Sequence, residues 1–158
     1  MLISPESLAV IGGAIALAGG LAGSAIGIGI AGSAGAATLS EEPGQLRNVI
    51  LLASLPMTQT FYGLITLILI LVTVKGTVGT IDGGSLGFAV LGIGVITGAA
   101  EAFSGAYQGS VCASGISLLP KTKGRILTNS MMLAVFVELI GVLGLVFAIM
   151  ALAMLGLF

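Results

Sequence analysis

The chain has 158 residues, of which 57% are hydrophobic and 7% charged, and its mean hydropathy is +1.24. A water-soluble domain carries roughly 25% charged residues, so this composition excludes a soluble globular protein and puts nearly the whole chain in or beside a bilayer. Five Lys and Arg against six Asp and Glu, with no His, exclude a nucleic-acid-binding surface and a histidine-based metal site, and a single cysteine excludes an internal disulfide and leaves Cys112 as a small packing residue.

The first apolar stretch follows Met-Leu-Ile-Ser-Pro-Glu-Ser. It has no basic leader and is far longer than the apolar core of a signal peptide, so it is read as the first span of the mature protein. Ser4, Pro5 and Glu6 have the order of a helix start: cap, first-turn proline, acidic first turn. Four apolar segments follow one another, at about Leu8–Leu39, Val49–Val74, Ser85–Leu119 and Ile126–Phe158, each longer than the ~20 residues a crossing needs. The polar breaks between them are 40–48, 75–84 and 120–125. Arg47, Lys121, Lys123 and Arg125 lie in the first and third breaks and only Lys75 in the second. The positive-inside rule then expects breaks one and three in the cytoplasm and both termini outside.

The halves repeat. Each is a Gly-rich span, a proline-containing break and a Leu/Ile-rich span, which expects an all-α membrane protein built as a duplicated parallel hairpin, residues 1–79 and 80–158. Gln59 follows Pro43 by 16 residues and Glu138 follows Pro120 by 18, so an amide and a carboxylate fall at nearly the same depth in the second helix of each half. Span 1 has small residues at every fourth position (Gly19, Gly23, Gly27, Ala31, Gly35), and span 3 has Gly94, Gly98, Ala102, Ala106, Ser110 and Ser114. Such rows let helix backbones approach closely in lipid. They expect spans 1 and 3 to form a tight inner layer of a ring, with spans 2 and 4 outside.

A carboxylate near the middle of a span costs at least ~2.5 kcal/mol, which marks Glu138 as functional. Thr58, Gln59 and Tyr62 share one face of span 2. Pro56 cannot donate a backbone hydrogen bond and disturbs the turn before it, which can free carbonyl oxygens there. Gln108 in span 3 lies about 18–20 Å from the third break by helical rise, as does Glu138. One carboxylate, two amide oxygens, a hydroxyl and a freed carbonyl supply up to five oxygens around one negative charge. Hard oxygen ligands select hard cations, and one carboxylate balances a monovalent ion, so Na⁺ fits. A proton needs only the carboxylate, and the amides can also hold Glu138 by hydrogen bonds, so H⁺ stays open as the alternative.

At these residues the chain resembles the proteolipid c or K subunits of rotary V-type ATPases and V/A-type ATP synthases. Leu55-Pro-Met-Thr-Gln and Phe136-Val-Glu-Leu are similar to that family's ion-site segments, and Phe103-Ser-Gly-Ala-Tyr-Gln-Gly to its third-helix segment. The resemblance, closest to the Na⁺-translocating branch, implies coordination of Na⁺ by the Leu55 carbonyl, Thr58, Gln59, Gln108 and Glu138, with Tyr62 bonding the carboxylate. It implies identical copies in a ring, a stator subunit that brings an essential arginine, and a central-stalk subunit against the cytoplasmic loops. It also implies a bacterial cell membrane, and no organic cofactor. No nucleotide motif occurs, so ATP chemistry belongs to other chains.

Glu101 departs from the pattern: it lies on the Gln108 face, about 10 Å farther outward. A protonated, hydrogen-bonded acid or a group lining a wet ring interior is expected, with part of an ion path as the third option. A small secondary transporter and a pore-forming or structural four-span protein compete with the rotor reading. The first would require broken helices that spans 1 and 3 do not show, and the second leaves the polar set unexplained.

Overall fold

The structure, a computed structural model, describes residues 4–74 and 85–157. Lys75, the rest of the second polar break, the 79/80 boundary between the expected hairpins and Phe158 lie outside the described residues. The described elements are all helical: α1 (Pro5–Glu41), α2 (Leu46–Ser54), α3 (Thr58–Val74), α4 (Ser85–Ser117), α5 (Leu119–Thr122) and α6 (Leu127–Met154). Four stretches are long and apolar enough to cross a bilayer: Pro5–Glu41, Pro43–Val74, Ser85–Ser117 and Leu127–Met154.

The start of α1 is as its sequence expects. Ser4 caps it, its hydroxyl accepting from the Ser7 amide at 3.2 Å, with Pro5 in the first turn. Span 2 is jointed rather than uniform. One turn of 3-10 helix, Leu55–Met57, separates α2 from α3, because Pro56 has no N–H for the preceding turn. The turn between α5 and α6 runs through left-handed Lys123 (φ 50°) and Gly124 (φ 81°). A Cβ on Gly124 would lie 3.0 Å from Asn48 Nδ2, so the first and third polar breaks sit side by side at one end of the bundle.

α1 and α4 form the closest pair in the fold and run parallel. A Cβ on Gly94 would collide with the backbone of Gly12, one on Gly98 with Ile15 and Ala16, one on Gly105 with Gly23, and one on Gly109 with Gly27. Only glycine allows this separation. The contact row on α4 differs from the strict four-residue row of the sequence. It begins at Gly94 and Gly98 but passes to Gly105 and Gly109, while Ser110 and Ser114 bond back to carbonyls of their own helix, Ala106 and Ser110. Four residues turn a helix by about 400°, so a four-step row drifts about 40° per step and leaves a straight contact face after a few turns.

The other face of α1 carries span 2. Gly20 lies against the Gln59 backbone and Gly63 against Ala16. Ser24 Oγ accepts the Thr60 amide at 3.2 Å, and the Thr60 hydroxyl donates to the Gly20 carbonyl at 3.3 Å. These contacts fasten the jointed start of α3 onto α1. α6 packs on α4, so α1 and α4 make the inner layer and span 2 and α6 flank it. Cys112 is buried in an apolar cluster with Leu52, Ile116 and Leu119, in keeping with a packing role.

Gly109→Val should lower the thermal stability of the purified protein in detergent, since overpacking costs about 1–3 kcal/mol and here meets backbone rather than a flexible side chain. Gly44→Val, where no atom lies within 4 Å of the new Cβ, should not. Equal melting of both variants would show that α1 and α4 do not pack as described.

Candidate ion-binding site

Helical rise and the Pro56 joint bring α3, α4 and α6 together at one level. There the side chains form a continuous chain of hydrogen bonds. Thr58 Oγ1 lies 3.3 Å from both the Leu55 carbonyl and Gln59 Oε1. Gln59 Nε2 donates to Ser104 Oγ at 3.0 Å and to Gln108 Oε1 at 2.9 Å. Gln108 Nε2 donates to Glu138 Oε2 at 3.2 Å, and Tyr62 OH to Glu138 Oε1 at 3.1 Å. Six of the seven residues singled out in the sequence, Leu55, Thr58, Gln59, Tyr62, Gln108 and Glu138, are therefore members of one network drawn from three helices; Glu101 is not.

Burial is graded across it. Gln59 and Gln108 are fully buried, while Thr58, Tyr62 and Glu138 are half-buried. Around Glu138 the outer surface is apolar: Phe61 and Leu64 on α3, Val135, Phe136 and Leu139 on α6, all exposed. The carboxylate thus lies where the polar interior of the protomer meets its hydrophobic face.

The donor arrangement has chemical content. Each carboxylate oxygen of Glu138 receives one hydrogen bond, Oε1 from Tyr62 and Oε2 from Gln108. At the other end, the Thr58 hydroxyl hydrogen is shared between two carbonyl oxygens, Leu55 O and Gln59 Oε1. Three oxygens, Thr58 Oγ1, Leu55 O and Gln59 Oε1, thus lie close together there. The Leu55 oxygen is not left free by Pro56, however. It accepts the Thr58 amide in the 3-10 turn as well as the Thr58 hydroxyl, so the kink redirects this carbonyl rather than emptying it.

Ser104 was not among the residues that the sequence singled out. It accepts from Gln59 and donates to the Val137 carbonyl at 2.9 Å, next to Glu138 in the chain. It thereby commits one amide hydrogen of Gln59, Gln108 commits the other, and Gln59 Oε1 is left facing Thr58. A signal for it exists: Thr97, Glu101, Ser104 and Gln108 recur at i, i+4, i+7 and i+11, a polar stripe on α4, and all four are buried.

Glu101 corrects two expectations. Its carboxyl is fully buried against α6, which excludes a wet ring interior, and neither oxygen has a hydrogen-bond partner. Packing decided this: Gly141 and Gly144 leave the face of α6 open where the side chain enters.

Among known protein families, the one described as the C subunit of ATP synthase matches the chain twice, over residues 11–70 and 91–151. The V-type sodium ATPase subunit K of Enterococcus hirae is 35% identical over 124 residues, covering 78% of this chain and 76% of that protein. The A-type ATP synthase subunit K of Methanocaldococcus jannaschii is 38% identical over 143 residues, covering 89% of this chain and 62% of that longer protein.

Ser104→Ala removes one acceptor and one donor from the buried network and should destabilise the protein by about 1–2 kcal/mol. Thermal melting in detergent measures it. A variant that melts with the wild type would mean that Ser104 does not hold Gln59.

Proposed function

The chain belongs to the family of ATP synthase C subunits, as a K subunit of the V/A type, and from that membership together with the geometry of the polar cluster we propose that it carries Na⁺ across the membrane on Glu138. As a rotor proteolipid it is a multi-pass membrane subunit without catalytic chemistry of its own. The observation that carries the sodium reading is the oxygen set itself. The Leu55 carbonyl, Thr58, Gln59, Gln108 and Glu138 are linked in one hydrogen-bonded chain across three helices that contains a single carboxylate, with Tyr62 holding that carboxylate. No nitrogen or sulfur ligand accompanies them, and Na⁺ is the monovalent hard ion such a set accommodates. The relative named as a sodium ATPase subunit supports the same reading.

The working cycle follows from electrostatics. A bare carboxylate facing hydrocarbon is prohibitively costly, so Glu138 must be bound to a cation whenever it turns toward lipid. Its place at the apolar outer face lets a stator subunit reach it. None of Arg47, Lys121, Lys123 and Arg125 lies at the level of Glu138, so the cation that displaces Na⁺ is supplied by that partner, as an arginine. Copies of the chain form the ring. The loop end bearing Glu41, Glu42 and these four basic residues faces the cytoplasm of a bacterial cell and meets the central stalk. The two hairpins meet between residues 79 and 80, and only the second carries the transporting carboxylate.

The same ring carrying protons is the second reading. Its ground is that Gln108 and Tyr62 already give each oxygen of Glu138 a hydrogen-bond partner, and a proton needs no ligand besides the carboxylate.

Glu138→Gln should abolish ATP-driven ²²Na⁺ uptake into vesicles while leaving the ring intact on electrophoresis. Thr58→Ala and Gln108→Ala should each weaken Na⁺ binding roughly ten- to hundredfold, tenfold being about 1.4 kcal/mol. Unchanged affinity in both would contradict the coordination set, and uptake by Glu138→Gln would contradict its central residue.

A further inference from the structure

Two carboxyls lie in the membrane part of this chain, and only one of them is used by the transport cycle. The other, Glu101, has no accessible surface, and neither of its oxygens has a hydrogen-bond partner. Its position follows from the glycines of α6. A Cβ on Gly141 would lie 2.7 Å from Glu101 Oε2, and one on Gly144 would lie 3.3 Å from Oε1. The carboxyl therefore occupies the space that two side chains of α6 do not use.

An ionised group there has no countercharge. Among the described residues the basic side chains are Arg47, Lys121, Lys123 and Arg125, all at the loop end; Arg47 is roughly 28 Å away by helical rise. The titratable groups on the elements packed against Glu101 are Tyr62 from span 2 and Glu138 from α6, neither within hydrogen-bonding reach of it. α1 meets it through Gly23, which lies against the Glu101 backbone carbonyl. An isolated carboxylate in such surroundings is not sustainable, so the group must hold a cation. The same close packing selects which one. A metal ion needs several oxygens and the volume of its own radius, and the Gly141 and Gly144 gap is already filled by the carboxyl. A proton needs neither. It is held by the carboxyl's own oxygen and asks for no further ligand from the surroundings, which offer neither Glu101 oxygen a hydrogen-bond partner.

We propose that Glu101 is a permanent proton site, a carboxyl that keeps one non-transported proton through the whole cycle of the ring. It differs from Glu138 in every feature that transport needs. Glu138 is half-buried at the outer apolar face and surrounded by donors, whereas Glu101 is enclosed between α4 and α6. The chain then holds two intramembrane carboxyls but moves one ion per turn per copy. Ser104 lies between the two: it touches the same Gly141 gap, at 3.1 Å from the Cβ position, and bonds Gln59. The neutral acid packs beside the transport site without adding charge to it.

Two measurements on the intact ring test this. The first is the infrared carbonyl stretch of a carboxylic acid, recorded at neutral pH in Glu138→Gln, where Glu101 is the remaining buried carboxyl. The band should be present, should resist exchange in D₂O, and should be missing from the double variant with Glu101→Gln. Its absence from Glu138→Gln would overturn the proposal, and so would its persistence in the double variant. This arm is indifferent to whether Glu138 carries Na⁺ or H⁺, so it decides the proposal even if the sodium reading fails. The second is ²²Na⁺ bound per subunit. One ion in the wild type and one in Glu101→Gln, with an affinity changed less than threefold, are expected. Two ions in the wild type, or loss of binding in Glu101→Gln, would make Glu101 a cargo site.

Discussion

A negative charge inside hydrocarbon must be balanced before anything else about the protein can be stable. In this chain that demand falls on Glu138, and the rest of the structure can be traced from it. Donors have to reach the carboxylate from neighbouring helices, so Gln108 comes from α4 and Tyr62 from α3. Gln108 must be oriented, so Gln59 donates to its oxygen, and Ser104 in turn holds Gln59. The helices that carry them must lie close together at that level, and the α1–α4 contact, backbone to backbone at Gly94, Gly98, Gly105 and Gly109, supplies a thin inner layer on which span 2 and α6 converge. Fold and site are one problem here: a bulkier inner layer would hold the oxygens apart.

The duplicated hairpin adds an asymmetry. At the depth where the second half has Glu138, the first half has Gln59. The amide has the shape of the carboxylate without its charge, and instead of a second site it completes the first. Its two hydrogens go to Ser104 and Gln108 while its oxygen faces Thr58. The two halves thus differ: the second holds the carboxylate, and the first an amide bonded into the same network. With Glu101 neutral, each copy has a single charge to balance.

Much of this was legible in the residues. Long apolar runs are unambiguous, and the Ser4-Pro5-Glu6 start is a local signal that tertiary packing does not override. Helical rise is regular enough that counting from the loops placed Gln59, Gln108 and Glu138 together across three helices. Packing detail was less legible. A four-residue row of small side chains suggests a contact face, but drift about the helix axis moves the real row from Ala106 and Ser110 to Gly105 and Gly109. Ser104 passed unremarked because serines in membrane helices commonly bond their own backbone, as Ser110 and Ser114 do. Its partnership with Gln59 depends on the rotation of α4 against span 2. For Glu101, spacing placed it on the right face of α4, but its enclosure depends on two glycines of another helix, Gly141 and Gly144.

The most direct test of a cation-balanced Glu138 is its labelling by a hydrophobic carbodiimide, which attacks protonated carboxyls from the lipid side, read at that residue with and without Na⁺ at fixed pH. An oxygen shell that binds sodium predicts strong protection by Na⁺, none by K⁺, and loss of the protection in Gln108→Ala. Rapid labelling indifferent to Na⁺ would contradict it and leave a ring whose amides hold a protonated acid.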